Sequence, residues 1–231
     1  MAKMITTTKE RVDNTIAILE EQGAYKLNVS RSNKKLVPNE KTAFIIWNLP
    51  AVKTCPFATD LCKASCYAKK AETAYPSVLP CRTKNFEESK KDDFANNMAY
   101  TILKIAKGCR KEEIIVRIHE SGDFYNQEYT NKWYGVMALC SVDPRIKFIA
   151  YTKSFKYFNG KGERSYFSLR ASIWADTKAD QLAMIKANNW NIYTAVDKFT
   201  EKDTFTQCRC EDCATCGKCW GQARDIRCEI H

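Results

Sequence analysis

The sequence lacks a long apolar run. No stretch of its 231 residues approaches the roughly 20 consecutive apolar residues that a membrane-spanning helix requires. The N-terminal residues 1–10 contain no apolar core followed by a small-residue cleavage site, so we expect no secretory leader. Internal repeats and low-complexity tracts are also absent. We therefore expect a globular protein that acts in a cytoplasm and contacts no membrane.

Histidine is scarce, with two residues against twelve cysteines. A reducing cytoplasm disfavours structural disulfides, which leaves metal binding as the usual reason for a chain to hold many thiols. A secreted protein stabilised by disulfides is the alternative, and the lack of a leader argues against it. The composition therefore predicts a metal site built from thiolates.

The apolar content indicates the class of protein, and the net charge indicates the kind of partner. Apolar residues make up 45% of the chain and aromatic residues 12%, which are globular values and disfavour disorder. The formal net charge of +10 favours polyanionic partners such as nucleic acid. Metal-bound cysteines are deprotonated, however, and would lower that charge by several units. Net charge by itself is therefore weak evidence for nucleic-acid binding.

Apolar periodicity predicts strands that alternate with helices. The predicted strands are short β-branched or aromatic runs, at Thr42–Trp47, Ile114–Ile118, Lys147–Tyr151, within Tyr166–Trp174 and at Asn191–Val196. The predicted helices repeat apolar residues at helical spacing, over residues 11–21, 94–107, 129–140 and 178–188. Such alternation implies a parallel sheet.

The predicted fold class is α/β. Five strands are too few for a complete eight-stranded barrel, so we expect a partial (β/α) barrel, with an open three-layer sheet as the alternative. Residues 1–40 are predicted to form a helical N-terminal extension, and residues 41–197 the α/β core. Residues 198–231 are cysteine-rich and irregular, and we expect a metal-binding appendage whose order depends on the metal.

The C-terminal segment concentrates cysteines: Cys208, Cys210, Cys213, Cys216 and Cys219, with Cys228 beyond them. The spacing C-x2-C-x2-C from Cys213 to Cys219 opens the bacterial ferredoxin pattern, in which one short loop binds three irons of a 4Fe–4S cluster. We expect Cys208 or Cys210 to supply the fourth ligand. A structural zinc site with four thiolates is the alternative.

Another group of cysteines directly follows the first predicted strand: Cys55, Cys62 and Cys66. Loops at the carboxyl ends of strands are where α/β folds place their active sites. Three thiolates leave one position of a 4Fe–4S cluster open, for substrate or for a further ligand such as Cys81 or the C-terminal group. Cys109 and Cys140 fall in or near helical patterns and are predicted to be small core residues.

Polar residues follow the other predicted strands, and in a parallel sheet these positions share one edge. They are His119, Ser121, Gly122 and Asp123 after the second strand, Lys153 after the third, Arg170 and Ser172 in the fourth and Asp197 after the fifth. The candidates for catalysis are His119, Asp123 and Lys153, and those for cofactor binding are Ser121, Gly122, Asp123 and Ser172. The alternatives are a simple turn at residues 121–123 and a core role for His119.

The order of these motifs resembles the phage protein family known as gene product 88. The matching residues are Leu49-Pro50, Cys55-Pro56 to Cys66-Tyr67-Ala68, Arg117, His119, Ser121-Gly122-Asp123-Phe124, Tyr151-Thr152-Lys153-Ser154, Ser172, Trp174 and Cys213 to Cys219-Trp220. The resemblance covers roughly residues 35–220. It implies a phage-encoded protein in the cytoplasm of a bacterial host, and it implies no particular activity.

The layout also resembles radical S-adenosylmethionine enzymes, in which a cysteine triad follows the first strand of a partial barrel. In that resemblance residues 121–123 match the acidic glycine motif that holds the methionine amine, and the segment from Cys213 to Cys219 matches an auxiliary cluster. The resemblance implies S-adenosylmethionine as a cofactor beside the cluster. The first triad here has the spacing C-x6-C-x3-C, whereas those enzymes use C-x3-C-x2-C.

Three functions are compatible with the sequence. The first is an iron–sulfur protein on a radical-enzyme-like scaffold, either catalytic or retaining only the cluster. The second is a zinc-stabilised basic phage protein that binds host nucleic acid, which the net charge and pairs such as Lys34-Lys35 and Lys69-Lys70 support. The third is a non-catalytic inhibitor of a host protein complex.

Overall fold

The computed structural model describes residues 7–158, 163–164, 166–198, 205–209, 212–221 and 225–229. The predicted ligand Cys210 lies outside these residues. Their helices are α1 (Thr8–Glu21), α2 (Asp60–Ala64), α3 (Tyr67–Ala74), α4 (Val78–Lys90), α5 (Phe94–Lys107), α6 (Gln127–Cys140), α7 (Ala179–Ala187) and α8 (Cys213–Cys216), with a 3-10 turn at Phe155–Phe158. Their strands are β1 (Thr42–Trp47), β2 (Glu113–Ile118), β3 (Ile146–Thr152), β4 (Glu163–Arg164), β5 (Phe167–Ile173), β6 (Asn191–Val196), β7 (Thr206–Cys208) and β8 (Ile226–Glu229).

Seven of the strands form a parallel sheet in the order β1-β2-β3-β5-β6-β8-β7, and this sheet curls into a half-barrel. β4 adds an antiparallel pair to β5. The register runs straight across the first three strands, so that Ile45 lies beside Val116 and Val116 beside Phe148. The predicted α/β partial barrel with a parallel sheet is confirmed, and metal binding by its C-terminal segment stays a prediction.

One face of the sheet is covered by helices. Successive residues of a strand point to opposite faces, so Ile45, Trp47 and Val116 share the face that meets Phe94 of α5 and Trp133 of α6 in the main core. α5 directs a full apolar stripe at the sheet, because its buried residues recur at helical spacing. In the described part of the chain, no helix combines the length and the apolar character needed to cross a membrane.

The opposite face, here called the inner face, carries a second and smaller core. Phe44 and Ile46 of β1, Ile115 of β2 and Ile149 of β3 are buried there with Leu36. The C-terminal residues Cys213, Ala214, Cys219 and Trp220 pack against this core, and the rings of Trp220 and Phe44 lie 5.8 Å apart. The C-terminal segment thus covers the apolar inner face of the first three strands.

The connection between β1 and α5 differs from the sequence-based expectation of a loop. It contains α2, α3 and α4, and the residues that α4 buries are polar: Arg82, Asn85 and Ser89. Arg82 forms an ion pair with Glu72 of α3 at 2.9 Å, and Asn85 donates to the carbonyl of Asn48 at 3.0 Å. Apolar periodicity cannot reveal a helix that is held in place by buried polar groups.

The described part of the C-terminal segment also differs from the expectation of an irregular appendage. Residues Thr206–Cys208 and Ile226–Glu229 form β7 and β8, and β8 pairs in parallel with both β6 and β7. These strands are only three and four residues long. Both contain a cysteine and β8 also contains two charged residues, so neither has the apolar pattern that indicates a strand. They continue the main sheet.

Candidate functional site

The turn after β2 is fixed against the end of β1. Leu49 and Ser121 are joined twice, by a bond from the Leu49 amide to the Ser121 carbonyl (2.9 Å) and by a bond from the Ser121 hydroxyl to the Leu49 carbonyl (2.8 Å). The side-chain oxygen of Asn48 accepts hydrogen bonds from the amides of Glu120 (2.9 Å) and Ser121 (3.0 Å). The predicted cofactor residue Ser121 therefore uses its hydroxyl to position the turn.

Gly122 lets this turn touch the loop that carries Cys55. Its φ of +88° lies in the left-handed region, which disfavours side chains. A Cβ atom at this position would lie 2.6 Å from the Thr54 hydroxyl and 2.7 Å from the Leu49 Cβ. The amide of Asp123 donates to the Thr54 carbonyl at 3.2 Å. The glycine is thus required for close contact between the turn and the cysteine loop.

Asp123 joins the β2 turn to the end of β3. Its Oδ1 accepts hydrogen bonds from the Phe124 amide (2.7 Å) and the Thr152 hydroxyl (2.6 Å), and its Oδ2 accepts one from the Lys153 amide (2.9 Å). Burial raises the pKa of this carboxyl, and the three hydrogen bonds oppose the rise. A carboxylate oxygen can accept two hydrogen bonds, so Oδ2 retains capacity for one more donor.

Lys153 connects β5 to the same edge of the sheet. Its buried Nζ donates to the carbonyl (3.2 Å) and the hydroxyl (2.7 Å) of Ser172, and it lies 5.6 Å from the centre of the Trp174 ring. Burial lowers the pKa of this amine, while the nearby Cys62 and Asp123 act to raise it. The structure therefore gathers Asp123, Lys153 and Ser172 at the carboxyl edge of the sheet.

The cysteines that follow β1 are here called the rim group: Cys55, Cys62 and Cys66. Cys62 lies in α2 and Cys66 immediately precedes α3. Asp176 accepts a hydrogen bond from the Leu61 amide at 2.8 Å, which fastens α2 to the region after β5. Burial, then Asp123, and then the charges of Cys62 and Cys66 raise the pKa of Cys55 to about 12.

His119 occupies a different environment. It is buried, and its Nε2 lies 2.8 Å from the Tyr129 hydroxyl, which also accepts a hydrogen bond from Trp47 Nε1 at 3.0 Å. Its ring packs edge-on against Phe124 and Trp133. Burial lowers its pKa to about 3, so it is neutral at physiological pH. This arrangement is the core role that the sequence left open for the residue.

The C-terminal cysteines lie elsewhere, and those directed at the inner face are here called the inner-face group: Cys208, Cys213, Cys219 and Cys228. Cys208 of β7 and Cys228 of β8 are register partners. Cys216, by contrast, is exposed. Cys81 is separate from both groups in its contacts, because its sulfur accepts a hydrogen bond from Asn28 Nδ2 at 3.1 Å.

Two arginines beside the inner-face group were named in the sequence but not chosen as candidates for catalysis or binding. Arg117 of β2 stacks on the ring of Tyr151, with its guanidinium carbon 3.8 Å from the ring centre. Arg170 of β5 is fully buried and donates through Nε to the Cys219 carbonyl at 2.9 Å, as does the Ser168 hydroxyl at 2.9 Å. An arginine within a mostly apolar strand could have indicated these residues in the sequence. A buried charge requires partners, so such an arginine marks a polar contact inside the protein.

In the part of the chain that the structure describes, no three or more histidine, cysteine, aspartate or glutamate side chains are placed to hold a metal ion. Metal binding by the rim group and by the inner-face group therefore stays a prediction.

Comparison with known proteins gives one family and two relatives. Residues 27–222 match the family described as "Gene product 88". The "Gene 88 protein" of Mycobacterium phage L5 is 30% identical over 105 residues, which are 43% of this chain and 43% of that protein. The corresponding protein of Mycobacterium phage D29 is 30% identical over 105 residues, 43% of this chain and 42% of its own length. Each match thus spans less than half of the relative, and no solved structure matches the chain.

Proposed function

The chain belongs to the gene product 88 family of phage proteins, and we propose that it binds an iron–sulfur cluster through Cys55, Cys62 and Cys66. The proposal rests on the contacts that join four separate segments at one edge of the sheet. The cysteine loop touches the turn at Gly122, Asp123 binds the end of β3, and Lys153 binds Ser172 of β5. This edge is where α/β proteins build their sites.

The charges at this edge favour a cationic centre. Three thiols and the carboxyl of Asp123 can each carry negative charge, and the Lys153 ammonium is buried among them. Thiolates in a buried site repel one another unless a cation compensates them, and metal binding supplies that compensation as it displaces the thiol protons. The rim group therefore has more potential negative charge than Lys153 alone can balance.

The number of thiols supports a cluster over a zinc ion. A structural zinc ion is held by four protein ligands, and the rim group offers three. In a 4Fe–4S cluster each thiolate binds a different iron, so three thiolates can hold it.

Three cysteine ligands would leave one corner of a four-iron cluster open for a small ligand. We propose a ligand with an amine and a carboxylate, such as the methionine end of S-adenosylmethionine. Asp123 Oδ2 has capacity to accept a hydrogen bond from the amine, and Lys153 lies beside it as a cation for the carboxylate. Such a protein would act in the cytoplasm of the bacterial host.

The test is the metal content of protein purified without oxygen. Wild-type protein should be brown and contain iron and inorganic sulfide. Cys62→Ser should lose the iron of one cluster, whereas the matched control Cys109→Ser, at a half-buried cysteine outside both groups, should keep it. Colourless wild-type protein that takes up no iron and sulfide on reconstitution would refute the proposal. Addition of S-adenosylmethionine should then change the cluster spectrum of wild type and leave that of Cys62→Ser unchanged.

A second candidate is a zinc-stabilised protein that binds nucleic acid or a host protein complex. The surface at α3 favours it, because Tyr75, which follows the last residue of the helix, is 63% exposed and the helix carries Lys69 and Lys70. Exposed aromatic rings beside lysines suit stacking on single-stranded bases. Zinc in place of iron, together with salt-sensitive binding to single-stranded DNA that Tyr75→Ala weakens, would favour this function.

A further inference from the structure

Arg117 lies on the inner face of the sheet, near the carboxyl end of β2. Alternate residues of a strand share a face, so Arg117 is on the same side as the buried Ile115. Its register neighbours on the adjacent strands are Ile46 of β1 and Ile149 of β3, and both are buried isoleucines. Its guanidinium stacks on the ring of Tyr151 at 3.8 Å. A positively charged side chain is thus placed between two apolar side chains and against an aromatic ring.

The guanidinium of Arg117 has neither a hydrogen-bond acceptor nor an ion pair among the residues that the structure describes. Its Nη1 is buried without a partner, and none of the ion pairs between described residues includes it. Glu120, three residues further along the chain, instead accepts hydrogen bonds from Asn33 (2.8 Å) and Asn48 (3.4 Å). A buried donor that lacks an acceptor costs free energy, so a native protein that keeps one has a use for it.

Two other cations of the same sheet have structural partners. Lys147 of β3 forms an ion pair with Glu113 of β2. Arg170 of β5 is fully buried, and its Nε donates to the carbonyl of Cys219 in the C-terminal segment. Both side chains therefore join separate elements of the fold. Arg117 contributes no such bond in the described part of the chain, which distinguishes it from a cation that is kept for stability.

The surroundings of Arg117 suit an anionic group of a ligand. A guanidinium presents a planar fork of N–H donors that matches two oxygens of a phosphate or a carboxylate. Arg117 is half-buried, so part of its side chain reaches solvent. The ring of Tyr151 holds the guanidinium from one side, and the ring of Tyr193 lies 4.5 Å from that of Tyr151. Aromatic rings beside a cation provide apolar surface for the rest of such a ligand.

We propose that Arg117 anchors a binding site on the inner face for a small molecule that carries a phosphate or carboxylate group. A small molecule fits better than a polymer, because Arg117 is half-buried on a face that Cys213 and Trp220 partly cover. The site uses no cysteine of the rim group, so it goes beyond the proposed function and does not depend on a cluster.

The test is the melting temperature of the full chain in increasing inorganic phosphate or acetate, each compared with sodium chloride at the same ionic strength. At least one of the two anions should raise the melting temperature of wild type beyond the chloride value, and the anion that does so identifies the group. Arg117→Met should abolish the rise. Arg117→Lys keeps the charge but lacks the fork, and should weaken binding by roughly tenfold or more.

The matched control is Arg145→Met, because Arg145 donates to the carbonyls of Ala106 (3.0 Å) and Cys109 (2.7 Å). This variant should melt at a lower temperature than wild type and keep the anion response. Arg117→Met should melt at the wild-type temperature or above it in anion-free buffer, since it removes an unpaired donor. A wild type that responds to neither anion would overturn the proposal. So would an Arg117→Met variant that is destabilised and retains the response.

Discussion

The rim group and the inner-face group are built from different kinds of structure. Cys55, Cys62 and Cys66 lie on a loop and two short helices at the carboxyl edge of the sheet, beside Asp123 and Lys153. The inner-face group lies on two strands and a helical turn, beneath tyrosine and arginine side chains that belong to the middle of the sheet. A group held by polar turns at an edge can admit a ligand, whereas a group packed into a sheet face is suited to hold structure or to transfer electrons.

The largest expected effect is a difference in stability between two glycine substitutions, one beside each group. Gly122→Ala should destabilise the protein by about 2–4 kcal/mol, because it combines a left-handed backbone with a Cβ less than 3 Å from Thr54 and Leu49. Gly217→Ala should cost about 1 kcal/mol, since its φ is also positive but the nearest atom to the new Cβ is 3.9 Å away. Chemical denaturation of the metal-free proteins measures both. Equal costs would show that the contact between the turn and the cysteine loop is not tight.

The next effect is a pH dependence that originates at the buried His119. His119 has a folded pKa of about 3 against an ordinary value of 6.5, so between these values the unfolded chain binds the proton and the folded protein does not. Stability should therefore fall as the pH is lowered from 6.5, by up to about 1.4 kcal/mol per pH unit from this group. Denaturation at pH 7, 6 and 5 should show that slope in wild type and a reduced slope in His119→Gln. An unchanged slope in the variant would assign the acid sensitivity to other groups.

The smallest expected effect is confined to the inner-face group. Burial raises the pKa of Cys219 and the Tyr151 hydroxyl acts to lower it, so Tyr151→Phe removes a stabilising contact and should destabilise the protein by about 1 kcal/mol. In iron-loaded protein it should also lower the reduction potential of one centre, because hydrogen bonds to the cysteine sulfurs favour the reduced, more negative cluster. Tyr100→Phe, whose hydroxyl bonds to Glu20 at an exposed site, is the control and should leave the potential unchanged. A shift in both centres would contradict the separation of the two groups.

The sequence predicted those elements whose apolar residues have a clear period. β1 is an unbroken apolar strand, and α5 buries Phe94, Met98 and Ile102 at helical intervals, so both were identified. α4 was missed because it buries Arg82 and Asn85, and β8 was missed because four residues with two charges carry no pattern. Helices and strands that are stabilised by tertiary polar contacts leave little trace in local sequence.

The same distinction holds for the candidate site. The rule that parallel strands share a carboxyl edge was enough to bring together Asp123, Lys153 and Ser172, which hydrogen bonds join. Their grouping with the first cysteines stays a prediction. Spacing could not decide which C-terminal cysteines face inward, because that depends on the reversal at Gly217 and on the register of β8. The tyrosines of the inner face were likewise hidden, since an aromatic residue in a strand ordinarily indicates core packing.

The strand order has a consequence for synthesis on the ribosome. β8 follows β7 in the chain but lies between β7 and β6 in the sheet, so β7 cannot pair until β8 has emerged. The first five parallel strands can pair as they appear, while Phe44, Ile115 and Ile149 await the segment that will cover them. A nascent chain that pauses before β8 would thus expose an incomplete half-barrel with an uncovered apolar face to chaperones, and Cys208 and Cys228 would come into register only after β8 has emerged.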